Sequence, residues 1–128
     1  MSTEKLPFVH LHVHSEYSIV DGTTVIKELV KKAKELGHTH LALTDHANMH
    51  AAIEFYSTAK QAGIFPIIGC ELYHQVSAVT EKALLESGVG ESYPRICQRV
   101  LLAKNNVGYK NLMKLTSDGY IGGNLQVV

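Results

Sequence analysis

A chain of 128 residues is enough for one compact domain and too short for two. Twelve Lys and Arg balance twelve Asp and Glu, which argues against gripping DNA or RNA through a basic surface, since neutralising phosphates needs an excess of cations. No apolar run approaches the roughly 20 residues that cross a bilayer. MSTEKLPF lacks the cationic, apolar character of a signal peptide, and the widely spaced Cys70 and Cys97 then read as reduced thiols of a cytoplasmic protein.

In VHLHVH, residues 9–14, apolar and polar residues alternate with period two, the pattern of a first strand. Val9, Leu11 and Val13 would point one way, His10, His12 and His14 the other. The turn-rich loop SEYSIVDGTT follows. A helix is predicted from Val25 to Leu36, because Val25, Ile26, Leu29, Val30, Ala33 and Leu36 fall at helical spacing, and Gly37 is placed to cap it. THLALT, residues 39–44, reads as a second strand. DHANMH leads into a second helix, Ala51 to Ala62, closed by Gly63. FPIIGCELY, residues 65–73, is a third strand, so the order is βαβαβ, with parallel pairing and right-handed crossovers expected. Residues 77–95 are hard to read, with a short helix at Glu81 to Glu86. RVLLAK, residues 99–104, is a fourth strand. GYKNLMKLTSDG, residues 108–119, is a helix with Tyr109, Leu112, Met113 and Thr116 on one side, and IGGNLQVV shows no clear period.

In parallel α/β sheets, functional groups collect at the C-terminal ends of the strands. The first strand ends at His14, the second at Asp45 and His46, the third at Glu71, and Asp21 lies in the first loop. Imidazoles with carboxylates suit Zn²⁺, Mn²⁺ or Fe²⁺, and a His-x-His pair projects both rings from one strand face. Each residue also has a plain structural explanation. The histidines could be the polar side of an exposed strand, although a parallel sheet is normally covered on both faces. Asp21 could cap the first helix, Asp45 could be a cap or turn residue, and Glu71 an exposed charge. Their joint placement at successive strand ends favours a metal site.

HLHVHSEYS followed by DG, then LALTDHANM, then PIIGCEL, resembles the polymerase and histidinol phosphatase (PHP) superfamily. FVHLHVHSEYSIVDG and LLAKNNVGYKNLMKLTS resemble its branch at the N-terminus of bacterial replicative DNA polymerase III alpha subunits. The likeness spans about residues 6–118, with 119–128 divergent. It implies an α/β fold, the N-terminal half of a distorted (β/α)₇ barrel with parallel strands and outer helices, binding up to three metal ions. By motif, His12, His14, Asp21, His46 and Glu71 match ligands. His10 is expected to pack behind them, and Asp45 and His50 have no assigned ligand role. Gln98 stands where the family often has histidine, and Gln ligates transition metals poorly, so fewer ions are expected. The nucleophile would be a water on the metal, not a side chain.

A complete (β/α) barrel takes about 250 residues. A half barrel would leave an open sheet edge and uncovered apolar surface. The chain is therefore expected to be a fragment of a longer protein, a degenerate short copy, or a domain completed by a partner chain; as a fragment, the resemblance makes it part of a DNA-directed DNA polymerase without its polymerase carboxylates. Its partners would be the rest of that chain or other replisome subunits, with DNA reached only through the parent enzyme and no membrane. The module itself would be structural, or a phosphoesterase such as a 3′–5′ exonuclease. The alternative is a stand-alone metal-dependent phosphoesterase acting on a small phosphomonoester.

Overall fold

Helix α1 spans Ile26–Glu35 and buries Ile26, Val30 and Ala33, the stripe expected of its 3.6-residue period. This computed structural model describes residues 8–75, 82, 86–88 and 96–121. Val25 caps α1 without a side-chain hydrogen bond, so Asp21 is not its cap. At the other end Gly37 takes φ +79°. Gly37 N–H then donates to the Lys34 carbonyl and His38 N–H to that of Ala33, a paired closure that only a left-handed residue permits cheaply. The same closure ends α2 (Ala52–Ala62) at Gly63.

Strand β1 (His40–Leu43) pairs in parallel with β2 (Phe65–Gln75), Leu43 opposite Ile68. Thr44 and Asp45 interrupt the ladder without shifting it, because His46 bridges Glu71 in unchanged register. Along β2, Ile68, Cys70 and Leu72 face one way. Ile68 packs onto the cluster of Ile26, Val30, Leu41, Leu43, Phe55 and Ala59. Cys70 and Leu72 pack with Leu112 of α3 (Asn106–Ile121). The helices therefore cover one face of the sheet, and strand alternation sends Gly69, Glu71 and Tyr73 to the other.

Three expectations need correction. The last strand, β3 (Ile96–Leu102), is antiparallel to β2, pairing Gly69 with Leu102 and Gln75 with Ile96. The sheet is thus mixed, in the order β1-β2-β3. The far half of β2 runs beyond β1, and a strand returning from that end enters it antiparallel. Second, residues 8–14 do not form a regular strand. They run beside β1, where Ala42 N–H donates to the His10 carbonyl (3.1 Å) but Thr44 N–H to that of Val13 (2.8 Å). Three steps of chain thus face two of β1, a bulge, and Thr44 Oγ1 takes the Val13 N–H (2.9 Å). Third, on the last helix Leu112 is buried and Tyr109 and Thr116 are half-buried as expected, but Leu115 joins that face whereas Met113 is exposed. The short helix expected at Glu81 to Glu86 lies mostly outside the described residues.

Gly69 sits on the central strand just past the β1 ladder and at the start of the β3 ladder. A Cβ there would meet the Leu101 carbonyl oxygen at 2.6 Å and Thr44 Cγ2 at 2.8 Å. Gly69→Ala is expected to lower stability by about 1–3 kcal/mol, the usual cost of overpacking, read as a lower urea midpoint. Beside this point lies an apolar groove of about 410 Å³, lined among others by Ile53, Tyr56, Phe65, Ala103 and Tyr109. No helix among the described residues is long and apolar enough to cross a membrane.

Candidate metal centre

On the sheet face opposite the helices, Glu71 is almost fully buried, 3 % exposed, and three imidazoles converge on its carboxylate. His12 Nε2 is bonded to Glu71 Oε2, and His14 Nε2 lies 3.1 Å from the same oxygen. His46 Nδ1 lies 3.3 Å from the other oxygen, Oε1. Burial pushes the Glu71 carboxyl up, but the hydrogen bond from His12, the positive charge of His14 and His12, and the bond from His46 together outweigh it. They hold it below its ordinary value.

The positions follow from the local chain. The rings of His12 and His14 stand 5.1 Å apart, as expected of residues two apart on an extended segment. His46 reaches Glu71 because the β1 register survives its interruption. Its ring packs edge-on against Tyr73, two residues along β2, at 4.9 Å. Asp21 comes within 3.7 Å of His46 Nδ1 and is otherwise half exposed. Among the described residues, the donor atoms of His12, His14 and Glu71 all lie within 4.8 Å of one another.

The other expected residues stand apart. His10 turns away, its ring against Phe8 at 4.7 Å and His38 at 5.3 Å. The bulge after it breaks the common histidine face. Asp45 is buried and receives hydrogen bonds from Ser15 and Ser18. His50 is exposed and lines a groove against Met113, Thr116 and Tyr120 of α3. Gln98 is exposed on β3, its Nε2 donating to the Tyr73 hydroxyl at 3.4 Å. Sequence reasoning missed Ser15, Ser18 and Asn48, all buried. Their one signal is their closeness to the histidine motifs, which fits polar turn residues facing solvent equally well.

Residues 10–126 match the PHP domain family. The chain belongs to the PHP domain family. The DNA polymerase III alpha subunit of Borreliella burgdorferi is 50% identical over 117 residues, 91% of this chain and 10% of that protein. The chain thus spans about a tenth of this relative's length. Two solved structures share the fold. An amidohydrolase from Chromobacterium violaceum, with bound sulfate and no metal, matches with a TM-score of 0.56 at 23% identity, covering 89% of this chain and 34% of that one. A protein assigned as a metal-dependent phosphoesterase from Bifidobacterium adolescentis matches with a TM-score of 0.51 at 17% identity, covering 88% and 34%.

The PHP domain's donor set fits a divalent cation. Two imidazole nitrogens and a buried carboxylate oxygen are what zinc, manganese and iron sites use. His12 keeps 57% of its side chain exposed, so the group is open to solvent. On the helix side, burial pushes the Cys70 thiol up to about 12, while bonds to the chain around Asn48 pull weakly the other way. Cys70 is therefore a protonated packing group. In the native PHP domain at pH 8 it is expected to escape iodoacetamide, which attacks thiolates, and to be modified after unfolding. Peptide mass mapping reads both states.

Proposed function

We propose that this chain is the N-terminal PHP portion of a bacterial replicative DNA polymerase III alpha subunit, forming the first half of a distorted (β/α)₇ barrel. The observation that carries this reading is 50% identity over 117 residues to such a subunit. The groove beside β2 supports it, because the rest of a longer chain would cover that apolar surface. The parent enzyme extends DNA, and this portion reaches DNA and the other replisome subunits only through it, in the cytoplasm.

Within the portion, His12, His14 and Glu71 hold a divalent ion, Zn²⁺, Mn²⁺ or Fe²⁺, with His46 and Asp21 as donors beside them. Such an ion supplies Lewis acidity toward a phosphoryl oxygen. Glu71 anchors the set from the buried strand, and His12 stands at its open side. The chemistry that suits this arrangement is phosphoester hydrolysis, for example at a DNA 3′ end or on pyrophosphate.

Two measurements test the proposal. The reading frame of the encoding DNA is expected to continue past Val128 into a polymerase, and a stop codon there would overturn the parentage. The purified polypeptide is expected to contain stoichiometric transition metal and, with Mn²⁺, to shorten single-stranded DNA from the 3′ end. Metal content near zero would overturn the metal centre. A closed frame, combined with hydrolysis of p-nitrophenyl phosphate, would favour the stand-alone phosphoesterase.

A further inference from the structure

Asp45 is 2 % exposed, adjoins His46 in sequence, and does not point at the metal group. Its Oδ1 accepts the Ser15 N–H at 2.6 Å and the Ser18 hydroxyl at 2.8 Å. Its Oδ2 accepts the Ser15 hydroxyl at 2.8 Å. Both serines then organise the loop that carries Asp21. Ser18 Oγ accepts the His46 N–H at 2.9 Å, and Ser15 Oγ the Tyr17 N–H at 3.2 Å. The Ser18 carbonyl takes the N–H of Asp21 and of Gly22, at 2.8 and 2.7 Å. A Cβ on Gly22 would lie 1.9 Å from the Ser15 carbonyl oxygen, so the loop is folded tightly upon itself. One buried carboxylate thus ties residues 15–22 to the chain beside His46, and the loop delivers Asp21 to within 3.7 Å of His46 Nδ1.

We infer that Asp45 is a positioning residue, which sets Asp21 against His46 beside the His12, His14 and Glu71 group and acts on metal binding only through that pair. The inference rests on the metal-centre reading. A buried carboxylate with a fixed set of donors restrains a loop more firmly than scattered surface bonds, because losing it leaves several polar groups unpaired at once.

The test is Co²⁺ titration of the full chain, followed by visible d–d absorption. Asp21→Ala, which removes a donor beside the group, and Asp45→Ala, which releases that donor from its place, are each expected to weaken Co²⁺ binding about 10- to 100-fold, the size of effect usual for groups that hold the ligands in position. The double variant is expected to bind no more weakly than Asp21→Ala alone. Asp45→Asn keeps the two bonds to Oδ1, from Ser15 N–H and Ser18, and reverses the third, its NH₂ donating to Ser15 Oγ, so its Co²⁺ affinity is expected to fall much less than that of Asp45→Ala. Should Asp45→Ala not fold, Ser18→Ala cuts the Ser18 bonds to Asp45 and to the His46 N–H while leaving both Ser15 bonds, and is expected to show the same non-additivity with Asp21→Ala. Additive losses, or an Asp45→Asn loss equal to that of Asp45→Ala, would overturn the role. So would tight wild-type binding that Asp45→Ala leaves unaltered. A wild-type chain that binds no Co²⁺ overturns the metal centre itself, and this role with it.

Discussion

Changing His12 and His14 together to alanine is expected to abolish metal loading while leaving the fold intact. A four-ligand zinc site contributes roughly 10–16 kcal/mol, so an even share is about 3 kcal/mol per ligand. Losing two of the three grouped donors should then weaken binding on the order of 10⁴-fold. Plasma mass spectrometry of dialysed protein reads the metal, and far-UV circular dichroism reads the fold. The fold should hold because neither ring belongs to the apolar clusters, and the His12 side chain is 57% exposed. Unchanged metal content in the double variant would show that these histidines are not the ligands and would leave the domain a scaffold.

The second large effect is structural. Phe55→Ala is expected to cost about 3–5 kcal/mol, a large part of the roughly 5–15 kcal/mol that stabilises a typical domain. Phe55 is fully buried on α2 and packs in one cluster with residues of α1 and β1. Truncating it opens a cavity where all three elements meet, and the close-packed surroundings relax only in part. Urea unfolding followed by circular dichroism measures the loss. The matched truncation Val20→Ala, at a position 94% exposed, should change stability by less than about 0.5 kcal/mol. Equal effects at the two positions would mean that this cluster is not the stabilising core.

Both predictions draw on features readable along the chain. The stripes of α1 and α2, and the glycines that end them, are local patterns, and the helices start and stop within one residue of where those patterns place them. His12, His14 and Glu71 were identifiable because period-two alternation and the strand-end rule use only nearby residues. The same rule pointed to His46 and Asp21, and the family resemblance separated the His12 and His14 pair from His10.

Other features depended on contacts between distant residues. Alternation in Ile96–Leu102 says which side chains share a face but nothing of strand direction, and the antiparallel pairing follows from where β2 outruns β1. The separation of His10 from the other two histidines follows from the bulge opposite β1, which no pattern within VHLHVH encodes. Asp45 reads as a turn residue until Ser15 and Ser18, about thirty residues earlier, are brought onto its carboxylate. The sequence by itself determined the two helices α1 and α2, the candidate donor residues and the family, because periodicity and motif are short-range properties of the chain. Only the tertiary structure decided strand direction, which histidines meet Glu71, and what Asp45 holds, because each depends on hydrogen bonds whose partners the chain order keeps far apart.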